Sequence, residues 1–176
     1  MLWIALMVMT TAQAPAPAAQ APVGTTGTVA SVRAGLDVVK GYLTKAAEQV
    51  PEDMYAFKPV PTVRSMGELF GHIADANFMI CGMASGQKPS MSGIEKSKKT
   101  KADLQSALAE SFKFCEAAFD GLTEARAHEV TKFFLPGTHT RLGVMTFNTA
   151  HDFEHYGNIV TYMRMKGLVP PSSAGK

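Results

Sequence analysis

The sequence predicts an all-α fold, an up-down four-helix bundle, and three observations carry that prediction. Four segments of about 20 residues place apolar side chains at steps of three and four. No segment alternates apolar and polar residues for long enough to build a sheet. Helix start and stop signals bracket the four segments: Ser65 with Glu68, Thr100, the pair Ser85-Gly86, and Gly167 ahead of Pro170-Pro171. Amphipathic helices of that length bury their apolar faces most simply against one another. With 176 residues, 46% of them apolar, the chain supports one such core and not two.

The first residues stand apart from the bundle. Leu2 to Met9 is an unbroken apolar run, followed by Thr10-Thr11 and Ala12-Gln13-Ala14, which has the small-x-small form of a signal-peptidase site. Residues 1–14 are therefore expected to be a signal peptide cleaved after Ala14, and the mature protein to be exported, periplasmic or secreted, with no membrane span. The run is far shorter than the ~20 residues that cross a bilayer. Its basic lead is missing, since Arg33 is the first Lys or Arg, which would follow if the true start codon lies further upstream. The alternative, an ordinary tail on a cytoplasmic protein, leaves eight apolar residues in water. Residues 15–27, rich in Ala and Pro, read as a flexible leader. The bundle is expected over 28–171, with 172–176 a short tail.

The first helix is expected from Thr28 to Val50, on the spacing of Val29, Val32, Leu36, Val39, Leu43, Ala46 and Val50, with Pro51 as its stop. Pro51, Pro59 and Pro61 keep the link to Arg64 from being helical throughout. The second helix opens on the capping box Ser65-Met66-Gly67-Glu68 and is apolar over a wide arc, which makes it central. Residues 87–99 are polar and basic, but they lack the arginines and interleaved aromatics of a nucleic-acid surface, so they read as a solvated loop. A net charge of +2 likewise calls for no nucleic acid or anionic membrane as partner. The third helix starts at the cap Thr100 and carries Leu104, Leu108, Phe112, Cys115 and Phe119 on one side. A loose segment from Gly121 to Thr140 leads to the last helix, Arg141 to Lys166.

The chemistry concentrates in Ala150-His151-Asp152-Phe153-Glu154-His155-Tyr156-Gly157-Asn158. His151 and His155, four residues apart, share a helix face about 5–6 Å apart at Cβ and can grip one metal ion. Of the remaining histidines, His72 alone lies mid-helix on a mostly apolar face. His128 sits in a polar stretch, and His139 in a loop that could line a pocket mouth. Three neutral imidazoles leave one coordination position open on zinc, or more on nickel or iron, the pattern of a catalytic site. Asp75, Asn148 and Asp152 are within helical reach of the outer imidazole nitrogens and are the candidates to orient them. Met79 and Met83, on the His72 stripe, are soft donors suited to copper(I), but at helical spacing methionines read as core filler. Cys81 and Cys115 face inward on consecutive helices; export favours a disulfide between them, the cytosol two buried thiols.

The stretch from His151 through Gly167 and Pro170-Pro171 resembles the last helix of the DinB family. Arg64-Ser65-Met66-Gly67-Glu68-Leu69-Phe70-Gly71-His72-Ile73-Ala74 resembles that family's second helix, and the likeness extends over roughly residues 28–171. The resemblance implies a four-helix bundle, often a homodimer, that binds one divalent metal through one histidine of the second helix and two of the last. Carried over, these are His72, His151 and His155, the three chosen by spacing. Glu154 stands where many relatives have a further histidine, and Asn158 where glutamine is common. The function expected is a metal-dependent enzyme on an unidentified small molecule, a hydrolase or a thiol-transferase like some relatives. The alternative is a non-catalytic metal-binding or stress-associated protein, and a pocket beside the metal with a titratable group would separate the two.

Overall fold

A computed structural model describes residues 27–88 and 90–175. The signal-peptide expectation, and the leader up to residue 26, lie outside the described residues. Among the described residues, six α-helices follow in order: α1 (Thr28–Gln49), α2 (Met66–Ser85), α3 (Ile94–Ser97), α4 (Lys101–Asp120), α5 (Glu124–Ala127) and α6 (Arg141–Met165). A two-residue antiparallel pair, β1 (Val130–Thr131) and β2 (His139–Thr140), precedes α6, with Val130 opposite Thr140. The four long helices form the all-α bundle. The short elements occupy the two segments expected to be loops.

Each long helix ends where its sequence dictates. Val50 turns extended ahead of Pro51, while its N–H still bonds to the Ala46 carbonyl. The α2 capping box is complete: Glu68 N–H donates to Ser65 Oγ (3.1 Å), and Ser65 N–H donates to Glu68 Oε2 (2.7 Å). Thr100 and Thr140 cap α4 and α6 by accepting from the N–H groups of Asp103 and Gly143. At the far end of α6, Gly167 adopts φ 73°, and the Gly167 and Leu168 N–H groups return to the Arg164 and Met163 carbonyls, closing a Schellman motif.

Helix α2 is the hub, as its wide apolar arc predicts. It packs against both α4 and α6, with Phe70, Phe78 and Ile73 buried. Burying side chains of this size contributes roughly 1.5–3 kcal/mol each. α2 and α6 run antiparallel, and the polar contacts along them fix the register. Tyr162 donates to the Arg64 carbonyl at one end (3.0 Å), Asn148 meets Asn77 at 2.8 Å in the middle, and Arg141 donates to the Ala84 carbonyl at the other end. Cys81 and Cys115, both fully buried, are joined by a disulfide that staples α2 to α4 across a Cα–Cα distance of 5.2 Å. Among the described residues, no helix is long and apolar enough to cross a membrane.

Candidate metal centre

The antiparallel register sets the first half of α2 against the middle of α6, and this brings three imidazoles together. His72 Nε2 lies 3.2 Å from His151 Nε2, which lies 3.0 Å from His155 Nε2. One ligand atom from each of the three falls within 4.8 Å of the others. Two bonds of ~2.05 Å at the tetrahedral angle set donor atoms about 3.3 Å apart, so the spacing fits one ion with little adjustment. His155 is buried; His72 and His151 are partly exposed.

All three rings are held toward the neutral, lone-pair-bearing state. Burial, with the neighbouring His155 and His72, pulls the His151 pKa down to about 4. Burial pulls His72 and His155 down as well; Arg64 adds to the shift at His72, and His72 adds to it at His155. A cluster of neutral imidazole nitrogens is the donor set a borderline cation takes.

The outer nitrogens are served by residues other than those expected. His72 Nδ1 lies 3.1 Å from Glu95 Oε2, and the other carboxylate oxygen of Glu95 accepts from Arg64 Nε at 2.9 Å. A carboxylate on Nδ1 fixes the proton there and leaves Nε2 bare. Asp75, expected in this role, instead accepts from the backbone N–H groups of Ile94 and Glu95, both at 2.9 Å. It therefore anchors the start of α3 and delivers Glu95, rather than touching an imidazole. Gly71 makes room for that delivery, because a Cβ there would lie 2.7 Å from the Glu95 Cα. His155 Nδ1 is 3.3 Å from the Asn158 carboxamide, one turn further along α6. His151 Nδ1 is buried without a protein partner.

Asn148 and Asp152, the other two orienting candidates, also face elsewhere. They belong to a fully buried polar knot with Asn77 and Ser111 between α2, α4 and α6. The Asn77 amide lies 2.8 Å from Asn148 Nδ2 and 3.2 Å from both Asp152 oxygens. Burial pushes the Asp152 carboxyl well above the ordinary range, toward its neutral form. The reason is geometric: successive helix residues are turned 100° apart, so Asp152 enters the core while His151 stays at its edge. His128 is exposed, and His139 sits over Phe133 with Nε2 3.0 Å from the Pro136 carbonyl; neither joins the centre.

The centre opens on a cleft of about 610 Å³ lined by His155, Asn158, Glu154, Glu95, Arg64 and Lys58, among others. Its charges are largely paired: Lys58 with Glu68 (2.8 Å) and Arg64 with Glu95. The hydrogen bond from Lys58, with that to Ser65 N–H, pulls the Glu68 carboxyl down to about 2. Such a site can admit a small polar molecule to the edge of the three nitrogens.

No curated protein matches this sequence. Solved structures share the fold. A DinB-like protein from Bacillus subtilis is 20% identical, with a TM-score of 0.66 over 83% of this chain and 99% of its own. A DinB-like protein from Bacillus cereus is 15% identical, with a TM-score of 0.69 over 80% and 93%. A conserved protein from Enterococcus faecalis is 16% identical, with a TM-score of 0.66 over 80% and 98%. The sequence profile of the DinB superfamily matches residues 36–159, a span that takes in all three histidines. This chain belongs to the DinB superfamily.

Proposed function

We propose that the protein is a metal-dependent enzyme in which His72, His151 and His155 hold one divalent ion, zinc or nickel ahead of iron, and that it acts on a small molecule in the cleft beside them. The observation that carries this reading is the convergence of three Nε2 atoms at the edge of an open cleft. An ion held there supplies Lewis acidity and lowers the pKa of water. The chain's own residues supply the rest. Glu95 keeps the His72 proton on Nδ1, Arg64 holds Glu95, and Asn158 Nδ2, 3.3 Å from His155 Nδ1, positions the His155 ring. The open cleft, with Glu154 and His155 in its wall, supports catalysis over a non-catalytic role in which the ion only stabilises the bundle.

Between hydrolysis and thiol transfer, the buried disulfide supports hydrolysis. Such bonds persist in oxidising compartments, where reduced low-molecular-weight thiols are scarce. The same bond supports an exported location, and the family resemblance supports a homodimer. The test is an assay of zinc- and nickel-loaded protein against simple esters, amides and thiols, with His155→Ala as control. The expected outcome is metal-dependent ester or amide turnover that is lost in the variant. Turnover unchanged in His155→Ala would contradict the assignment.

A further inference from the structure

The polar cleft is not the only concave surface along α2. On the outer face of α2 lies an open, mostly apolar cleft of about 680 Å³ walled by Met79, Met83, Met91, Gly93, Thr131 and Lys132. That is within the ~300–1,000 Å³ of typical small-molecule sites. Met79 is 43% exposed, so it is not the core filler its spacing indicated. With Met83 and Met91 it gives the cleft a mostly apolar lining, the kind that takes an apolar ligand.

Three segments run from this cleft to the metal centre. The first is α2 itself: Met79 and Met83 lie seven and eleven residues beyond His72, close to whole numbers of turns, on the same stripe and about 10 and 16 Å along the axis. Asp75, one turn from His72, marks the near end of the cleft. The second is the loop before α3 and its first turn, which puts Gly93 in the cleft wall and Glu95 on His72 Nδ1. The third is the hairpin. Its Thr131 and Lys132 wall the cleft, and the next residue, Phe133, packs edge-on against Phe147 (5.2 Å), which in turn faces the His151 ring at 6.4 Å. Thr131 also donates to the Met83 carbonyl (2.9 Å), which ties the hairpin to the cleft floor.

We propose that this cleft holds the apolar chain of an amphipathic substrate, a medium-length acyl or alkyl compound whose polar reacting group lies at the histidine centre. The reading rests on the metal-dependent activity proposed above and names the substrate class for it. Methionine suits this role because its unbranched thioether adapts to flexible chains of differing length. Affinity should therefore rise with chain length, whereas a site confined to the polar cleft would be indifferent to it.

The experiment compares acetohydroxamic and octanohydroxamic acid, metal-binding head groups with a short and a long tail. Binding to the zinc-loaded full chain is measured by calorimetry, alongside methyl NMR of 13C-methionine-labelled protein with and without zinc. Each buried methylene tightens binding about fourfold, so three buried methylenes give the octanoyl compound an advantage of about 60-fold. Met79→Glu, at a solvent-exposed position that folding does not need, should erase that advantage while leaving acetohydroxamate binding unchanged. Equal affinities with unmoved Met79, Met83 and Met91 methyls would overturn the proposal and leave the metal site standing. Should acetohydroxamate fail to bind while the octanoyl chain still shifts those methyls without zinc, the metal reading falls and the chain-binding site stands. If neither ligand registers, both fall.

Discussion

Reducing the Cys81–Cys115 bond should cost the bundle a large share of its stability, and the size of the loss follows from its place in the chain. The bond closes a loop with a sequence separation of 34 residues. The loss of loop-closure entropy in the unfolded chain for that separation corresponds to about 4 kcal/mol at 25 °C. Both half-cystines are fully buried, so reductant reaches them through the unfolded state. The assay is a guanidinium titration of oxidised protein against protein unfolded, reduced and refolded in phosphine, with mass spectrometry to verify the redox state. For a domain of this size the reduced form should unfold about 1 M earlier. A midpoint shift below about 0.2 M, with complete reduction verified, would refute the claim that this bond constrains the unfolded chain. Two free thiols in the untreated native protein would refute the bond itself.

Three further outcomes are expected. Because His151 is depressed to about 4 against an ordinary 6.5, the unfolded chain binds more protons than the native one between those values. Metal-free protein should therefore lose up to about 3 kcal/mol as pH falls from 6.5 to 4, with His72 and His155 acting in the same direction; urea midpoints that stay flat across that range would contradict it. Asp152 has the opposite sign. Its carboxyl ionises more readily in the unfolded chain, so its burial penalises the native state above an unfolded pKa near 3.8, and Asp152→Asn should stabilise at pH 7 and lose that gain below about pH 3. A variant less stable than the parent at pH 7 would show that the buried knot holds an ionised carboxylate. Glu95→Gln should weaken zinc binding roughly 10- to 100-fold without moving the thermal midpoint of the metal-free protein, and an unchanged affinity in a competitive chelator titration would remove Glu95 from the site.

The bundle and the three histidines were legible because both are written in local periodicity. The caps of α2, α4 and α6 lie beside the turns they cap, and the four-residue step from His151 to His155 is a property of one helix. The residues that orient the histidines were not legible, because they depend on how distant segments meet. Glu95 lies 23 residues beyond His72 in a polar segment that reads as solvated. It reaches the ring only because Asp75 captures two N–H groups at the start of α3 and Gly71 lets that backbone approach. A glycine inside an otherwise strong helix was the one available sign that something packs closely there. Asn148 and Asp152 share the histidines' apolar stripe, yet 100° per residue turns them into the core, where Asn77 and Ser111 meet them. Met79 carried the same ambiguity: helical spacing gives a stripe but not which part of it the neighbouring segments leave open.

X-ray absorption spectroscopy of the protein loaded with one equivalent of zinc tests the central claim most directly. Three imidazole nitrogens at about 2.0–2.1 Å, with one lighter ligand completing the shell and the nitrogen count falling to two in His72→Ala, is the predicted result. A shell containing sulfur at about 2.3 Å, or one unchanged by loss of His72, would contradict it.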